Sequence, residues 1–459
     1  MNSYRIEHDS MGEVRVPNDK LWGAQTERSR QNFPIGVGIE IMPQEIIRAL
    51  ALIKKACALA NRELVPEKMT EEKCAAICTA AEEIMDGTLA AHFPLVVFQT
   101  GSGTQTNMNV NEVIANRGNQ LAGRTLLHPN DDVNMSQSSN DTFPSAMRIA
   151  AVIALEDRLL PAVDRMILAL KTLEAENEDV IKSGRTHLQD AVPIRFSQEI
   201  SGWRAGLERD EEMLRVLMGS LGELALGGTA VGTGLNAPQG FDTSAAREVS
   251  GLTGKAFIPA TNKFHALTSL DELTAVHGVV KALACDSMKM ANDIRLLASG
   301  PRCGFSEISI PALEPGSSIM PGKVNPTQCE QLSMVAVQVM GNDAAVSLAA
   351  SQGHLELNVY LPVCIHNFLQ SVRLLSESLD SFRERCICGL KADRTRMKEY
   401  LDRSLMLVTA LNPVIGYEKA ASVAELAYRE GLDLRTACLR LGFLGEQELD
   451  ARLNAQKMV

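Results

Sequence analysis

Apolar residues recur along the middle of the chain at alternating steps of three and four. From Leu273 they fall at Val276, Val280, Leu283, Met290, Ile294 and Leu297, with Ser287 in register. That is a coiled-coil-like seam more than three heptads long. A second seam runs through Ile365, Phe368, Val372, Leu375, Leu379, Phe382 and Cys386. A third helical stretch, residues 145–180, carries Met147, Ile149, Val152, Leu159, Val163, Met166, Leu170 and Leu173 on its apolar side. Pro161 interrupts it and predicts a kink or the end of a turn. Residues 198–218 and 331–350 read as further helices. A thirty-residue helix is roughly 45 Å long, more than one small domain needs. Such lengths suit several chains sharing one bundle, so the seams are expected to bury against partner chains. A single-chain bundle that covers its own seams is the alternative.

The flanks read differently. Residues 1–137 mix short helical patterns with Gly, Asn and Pro breaks, and residues 394–459 lose the long seams. In the C-terminal segment, Gly431 predicts a helix stop. Three domains follow: a mixed, mainly helical N-terminal domain (1–137), a central long-helix bundle (138–393) and a small helical C-terminal domain (394–459). Aromatic residues are only 4% of the 459, and Ala and Leu recur throughout, which favours an all-α fold. The net charge of −11 argues against nucleic acid as a partner. No uninterrupted run of eighteen apolar residues occurs, so no membrane association is expected. The N-terminus lacks the charged-then-apolar layout of a signal peptide. Ten cysteines lie without framework spacing, so reduced thiols in a cytoplasmic protein are expected.

Four stretches break the helical pattern with small polar residues: 100–109 (TGSGTQTNMN), 128–141 (HPNDDVNMSQSSND), 184–190 (GRTHLQD) and 316–326 (GSSIMPGKVNP). Ser, Thr and Asn supply neutral donors and acceptors. Where helices begin, their hydroxyls and the free backbone N–H groups converge into an anion site. N-capping uses the same residue types, and for one such stretch it is the stronger reading; four in one chain favour a functional site. In the last stretch, Gly316 and Gly322 permit unusual backbone angles, and Lys323 and Asn325 set a cation and an amide near two hydroxyls. A hydroxyl becomes a base only where loop amides or a cation stabilise its alkoxide. His187 is a natural proton carrier near neutral pH, and Glu330, though distant in sequence, is of the type that could orient it. Taken singly, a Gly/Pro connector and a structural histidine account for the same residues.

Residues 316–326 resemble the signature of the fumarase/aspartase superfamily, which also holds argininosuccinate and adenylosuccinate lyases. The resemblance extends over essentially the whole chain. The opening from Met11 to Thr26 is similar to that of fumarases and aspartases, and residues 407–412 and 415–417 resemble the fumarase tail. The continuation Pro326-Thr-Gln-Cys-Glu330 resembles fumarases of class II rather than aspartases, which tend to carry apolar residues and a proline before the same Glu.

The resemblance implies a long-helix bundle and a homotetramer whose active sites draw on three subunits. It implies a reversible hydration of fumarate to L-malate without metal or organic cofactor. It assigns Ser317 as the base and His187, paired with Glu330, to the acid side. Ser102, Gly103, Thr104, Ser138, Ser139, Asn140, Thr186, Ser318, Lys323, Val324 and Asn325 match substrate-binding positions. A second dicarboxylate site is implied at His128, Pro129, Asn130 and Asp131. There Leu126 and Leu127 replace the basic residues that precede it in some members, which bears on its anion affinity. No iron–sulfur cysteine pattern is present. Aspartate ammonia-lyase, the same elimination with ammonia leaving, and a non-catalytic structural relative are the competing readings.

Overall fold

The computed structural model describes residues 4–459. The chain opens with an antiparallel hairpin, β1 (Tyr4–Asp9) and β2 (Gly12–Pro17). Six helices follow: α1 (Ala24–Asn32), α2 (Gln44–Leu64), α3 (Glu71–Met85), α4 (Thr104–Ala122), α5 (Ser139–Ala154) and α6 (Leu160–Ala175). A second hairpin, β3 (Ile181–Thr186) and β4 (Gln189–Arg195), leads into α7 (Phe196–Met218). Next come α8 (Phe241–Thr253), α9 (Lys263–Thr268) and the long α10 (Asp271–Leu297), α11 (Thr327–Ser351) and α12 (Leu361–Arg385). The C-terminal segment holds α13 (Arg394–Arg403), α14 (Asn412–Ile415), α15 (Tyr417–Glu430), α16 (Leu434–Leu441) and α17 (Glu446–Arg452). The fold is all-α apart from the two hairpins and strands of two residues.

The chain forms two compact units, each discontinuous in sequence. The first comprises the described residues up to Pro161, Glu212–Ala282 and Val337–Leu375. The second comprises Ala162–Glu211, Leu283–Ala336 and Ser376–Val459.

Every residue of both sequence seams is buried, from Leu273 to Leu297 and from Ile365 to Cys386. They are buried within the single chain, which corrects the expectation that partner chains cover them. Among the apolar side chains left uncovered, Met334, Val337 and Leu348 of α11 are well exposed. Along that helix Met334, Val337, Gly341, Ala344 and Leu348 recur at helical spacing, and all five are exposed. Length and composition would let α11 cross a bilayer. Its Asn342 and Asp343 are nonetheless buried, with Asn342 donating to Gln370 and Ser371 and Asp343 meeting His277 and Lys281. Those polar groups punctuate the helix, so counting apolar runs misses how apolar it is overall.

At Pro161 the helix is not broken but widened. A π-type turn, Leu155–Leu159, joins α5 to α6 just before the proline, whose ring nitrogen has no hydrogen to donate. Gly431 ends α15 in the left-handed conformation, with its N–H on the Ala427 carbonyl, as its position predicts. The C-terminal helices on both sides of it share a core of their own that includes Val408, Leu411, Val423, Leu434 and Leu449.

Candidate active site

In the first unit, the 100–109 stretch turns directly into α4. Gly103 caps the helix with φ of 72°, and a Cβ there would sit 2.2 Å from the Phe143 ring. Gly101 is tighter still, since a Cβ would lie 1.5 Å from the Val359 carbonyl oxygen. Only glycines let the loop approach this closely. The loop thereby presents Ser102 and Thr104, whose hydroxyls lie 2.7 Å apart, at the N-terminus of a 19-residue helix. Positive partial charge gathers at such a terminus.

The 128–141 stretch likewise ends at a helix start. Ser138 is the N-cap of α5 in a capping box: its hydroxyl accepts from Asn140 N–H, and Asp141 accepts from Ser138 N–H. Asn140 donates its side-chain amide to the Ala230 carbonyl at 2.8 Å. Ser139 accepts from Asn107 of α4 at 3.1 Å, so the two polar stretches are joined here. Behind them lies a buried polar network. Asn134 Oδ1 accepts from Lys54, Asn107 and Asn111 at 3.0, 3.2 and 3.2 Å. Thr142 donates to Asn107 Oδ1. The buried Asp141 carboxylate also accepts from Gly227 and Thr229 N–H. Burial pushes its pKa up to about 6, against the lowering effect of those N–H donors and of Lys54.

The second-site residues sit on the π-type turn Pro129–Val133. His128 and Asp131 are exposed and lie 3.2 Å apart, with Asn130 exposed and Pro129 half-buried between them. The nearby cation, Lys73, is engaged by Asp132 at 2.6 Å. Leu127 is buried against Gly118, where a Cβ would meet it at 2.5 Å. Its apolar side chain is thus spent on packing, and Leu126 donates only its backbone N–H to Asn119.

In the second unit, GRTHLQD is the tip of the β3–β4 hairpin, a strand pair that helical periodicity did not anticipate. Thr186 pairs with Gln189, and the two residues between them, His187 and Leu188, take φ of 55° and 60°. Positive φ at both positions of a two-residue loop is a type I′ turn, usually made by Asn and Gly. His and Leu there are strained, and the turn leaves the His187 side chain exposed at its apex. The hairpin base is anchored. Buried Glu307 receives Arg185 at 2.8 and 3.0 Å and meets Lys182 at 3.3 Å, and the Arg185 guanidinium lies over Phe305.

The 316–326 stretch is a loop closed by backbone bonds. Gly316 N–H donates to the Lys323 carbonyl at 2.8 Å, and Asn325 donates to the Gly316 carbonyl at 2.7 Å. Ser317 is half-buried. Its hydroxyl oxygen accepts from Ile319 N–H at 3.3 Å and Met320 N–H at 3.1 Å. Ser318, Lys323 and Val324 are exposed. Glu330 lies in the first turn of α11. Among the described residues of this chain no hydrogen bond joins His187 to Glu330.

The structure therefore brings Ser102, Gly103, Thr104, Ser138, Ser139 and Asn140 to adjoining helix starts of one unit. Thr186 and His187 share a hairpin tip, and Ser317 to Asn325 share a loop. Sequence reasoning missed Lys54, Asn107, Asn134 and Asp141. Three of these lay inside the polar stretches. Lys54 left a subtler signal, a charge in register with Leu50, Cys57 and Asn61 on the buried face of α2.

The chain matches the lyase family model over residues 12–341 and the model of the fumarase C C-terminus over residues 407–459. It is 57% identical to a class II fumarate hydratase of Bacillus anthracis and 54% identical to one of Bacillus subtilis, each over 99% of both chains. Its fold superposes on the crystal structure of a class II fumarase from Schistosoma mansoni with a TM-score of 0.97, at 42% identity over 99% of both chains. Such full-length similarity, joined to the four polar stretches and the helical fold that carries them, shows that the chain belongs to the class II fumarase family.

Proposed function

We propose that the chain converts fumarate reversibly to L-malate through the polar loops described above. Dehydration of malate removes a proton from the carbon beside a carboxylate, and the charge passes to that carboxylate as an aci-carboxylate. The enzyme must hold that charge before the hydroxyl leaves. Ser317 takes the proton. The observation that carries this role is its oxygen's position in front of two backbone N–H groups, Ile319 and Met320, which would steady an alkoxide. Lys323 and Asn325 share the loop and supply a cation and an amide for the developing charge. His187, directly or through a water, protonates the departing hydroxyl, with Glu330 of another subunit to orient it. Ser102, Thr104, Ser139 and Asn140, at two helix N-termini, bind the carboxylates.

The assembly proposed is a homotetramer with sites shared between subunits. The exposed apolar stripe on α11 supports it, as does the Glu330 carboxylate, which makes no hydrogen bond or ion pair among the described residues of its own chain. A cytoplasmic location fits ten free cysteines, of which Cys57, Cys329, Cys364 and Cys438 are fully buried. The activity test is fumarate absorbance on adding L-malate with a chelator present; absorbance is expected to grow. Ammonia release from L-aspartate, with no fumarate from malate, would move the chain to the ammonia-lyase reading.

A further inference from the structure

Lys54 is a cation with no solvent exposure and, among the described residues, no carboxylate hydrogen-bonded to it. Its ammonium donates to two neutral oxygens, Asn134 Oδ1 at 3.0 Å and Gln137 Oε1 at 2.9 Å. The nearest carboxylate in the network, Asp141, spends its oxygens on Ser138, Gly227 and Thr229 N–H. Leaving a cation in such surroundings is costly, and burial lowers its pKa to about 7. Asn134 and Gln137 alone do not explain why a lysine stands there.

The direction of the hydrogen bonds supplies a reason. A protonated lysine only donates. Asn134 must therefore turn its oxygen to Lys54, and its amide hydrogen goes to the Gln137 backbone carbonyl at 3.2 Å. With that oxygen as acceptor, Asn107 must face it with its NH2 group. Thr142 is compatible with the same orientation: its single hydroxyl proton faces the Ser138 carbonyl at 2.9 Å and Asn107 Oδ1 at 3.2 Å. The NH2 of Asn107 also donates to Ser139 Oγ at 3.1 Å. The Ser139 oxygen being occupied as an acceptor, its own proton points away from the network.

We propose that Lys54 is a positioning residue for substrate: through Asn134 and Asn107 it fixes the polarity of a hydrogen-bond chain that ends in the Ser139 hydroxyl, leaving that hydroxyl a committed donor to a carboxylate. When protonated, the ammonium also adds a buried positive charge behind the anion, offset only by the Coulombic field of the Asp141 carboxylate and not by a direct ion pair. The inference rests on the reading of Ser139 as part of the dicarboxylate site.

The test is a double-mutant cycle on the full-length enzyme, with KM and kcat for L-malate measured for wild type, Lys54→Met, Ser139→Ala and the double variant. Each single change is expected to raise KM about tenfold and to change kcat less than about threefold. The double variant is expected to be no worse than the poorer single, because both remove one donor. If Ser139→Ala raises KM while Lys54→Met leaves it within about twofold of wild type, the Lys54 inference is overturned and the site reading stands. Multiplying effects on KM would overturn it equally, since a merely structural lysine acts independently of Ser139. An unchanged KM in Ser139→Ala would overturn the site reading itself. Should Lys54→Met not fold by circular dichroism, Lys54→Gln is the second variant. Its amide offers Asn134 either a donor or an acceptor, so the polarity is no longer forced. A several-fold rise in KM is expected, and a wild-type KM would overturn the proposal.

Discussion

The two groups of polar loops are built in opposite ways. Those of the first unit are backed by a buried network in which Lys54, Asn107, Asn134, Thr142 and Asp141 leave little freedom to Ser138, Ser139 and Asn140. Those of the second unit are open: His187 stands at an exposed hairpin apex, Ser317 lies on a loop held by a few backbone bonds, and the Glu330 carboxylate has no hydrogen-bonded partner among the described residues of its own chain. Groups that bind a carboxylate gain from being fixed before the ligand arrives. The groups proposed to move protons sit instead at an exposed hairpin tip and on a largely exposed loop, where a mobile segment or another copy could complete them. On the proposed roles, the difference separates binding from chemistry along the chain.

Breaking the open region should cost most in turnover. Ser317→Ala removes one loop hydroxyl and no core contact, so kcat is expected to fall by about 10³ while the thermal midpoint stays unchanged. Near-normal turnover would remove Ser317 from the role of base. His187→Asn comes next. Asn adopts positive φ more readily than His, so the hairpin should persist or gain stability while kcat falls about 10²-fold. A KM effect without loss of kcat would assign His187 to binding instead.

Changes in the backed region should appear as stability and its pH dependence. The native pKa of Asp141, about 6, lies above its ordinary 3.8. The native state therefore keeps a proton that the unfolded chain releases. That contribution to stability is full below the unfolded value and is lost as pH rises through the folded one. Urea unfolding of wild type and Asp141→Asn at pH 5 and pH 8 should show their stability difference moving against wild type by about 1 kcal/mol. A difference independent of pH would mean that the carboxylate is not held protonated by its burial.

Much of this division was legible in the residues. Steps of three and four located both seams residue by residue, because burial on one face imposes that period whatever covers it. What covers it was not legible, since a seam reads alike whether its own chain or a partner packs there. The four polar stretches announced the loops, yet the hairpin at 181–195 escaped because bulged, half-exposed strands leave no strict alternation. Lys54 escaped because its meaning lies in the direction of hydrogen bonds to residues 80 and 83 positions away, which local pattern does not encode.

The central claim, that the open loops of one chain are completed by another, is tested most directly by subunit mixing. His187→Ala and Ser317→Ala are each prepared inactive, combined under conditions that exchange subunits, and assayed for fumarate formation from L-malate. If one site takes these two residues from different chains, some sites in mixed oligomers carry both lesions and others carry none, so part of the wild-type rate returns. If both residues serve a site from the same chain, every site keeps a lesion, and no activity returns although mass spectrometry finds the mixed oligomers.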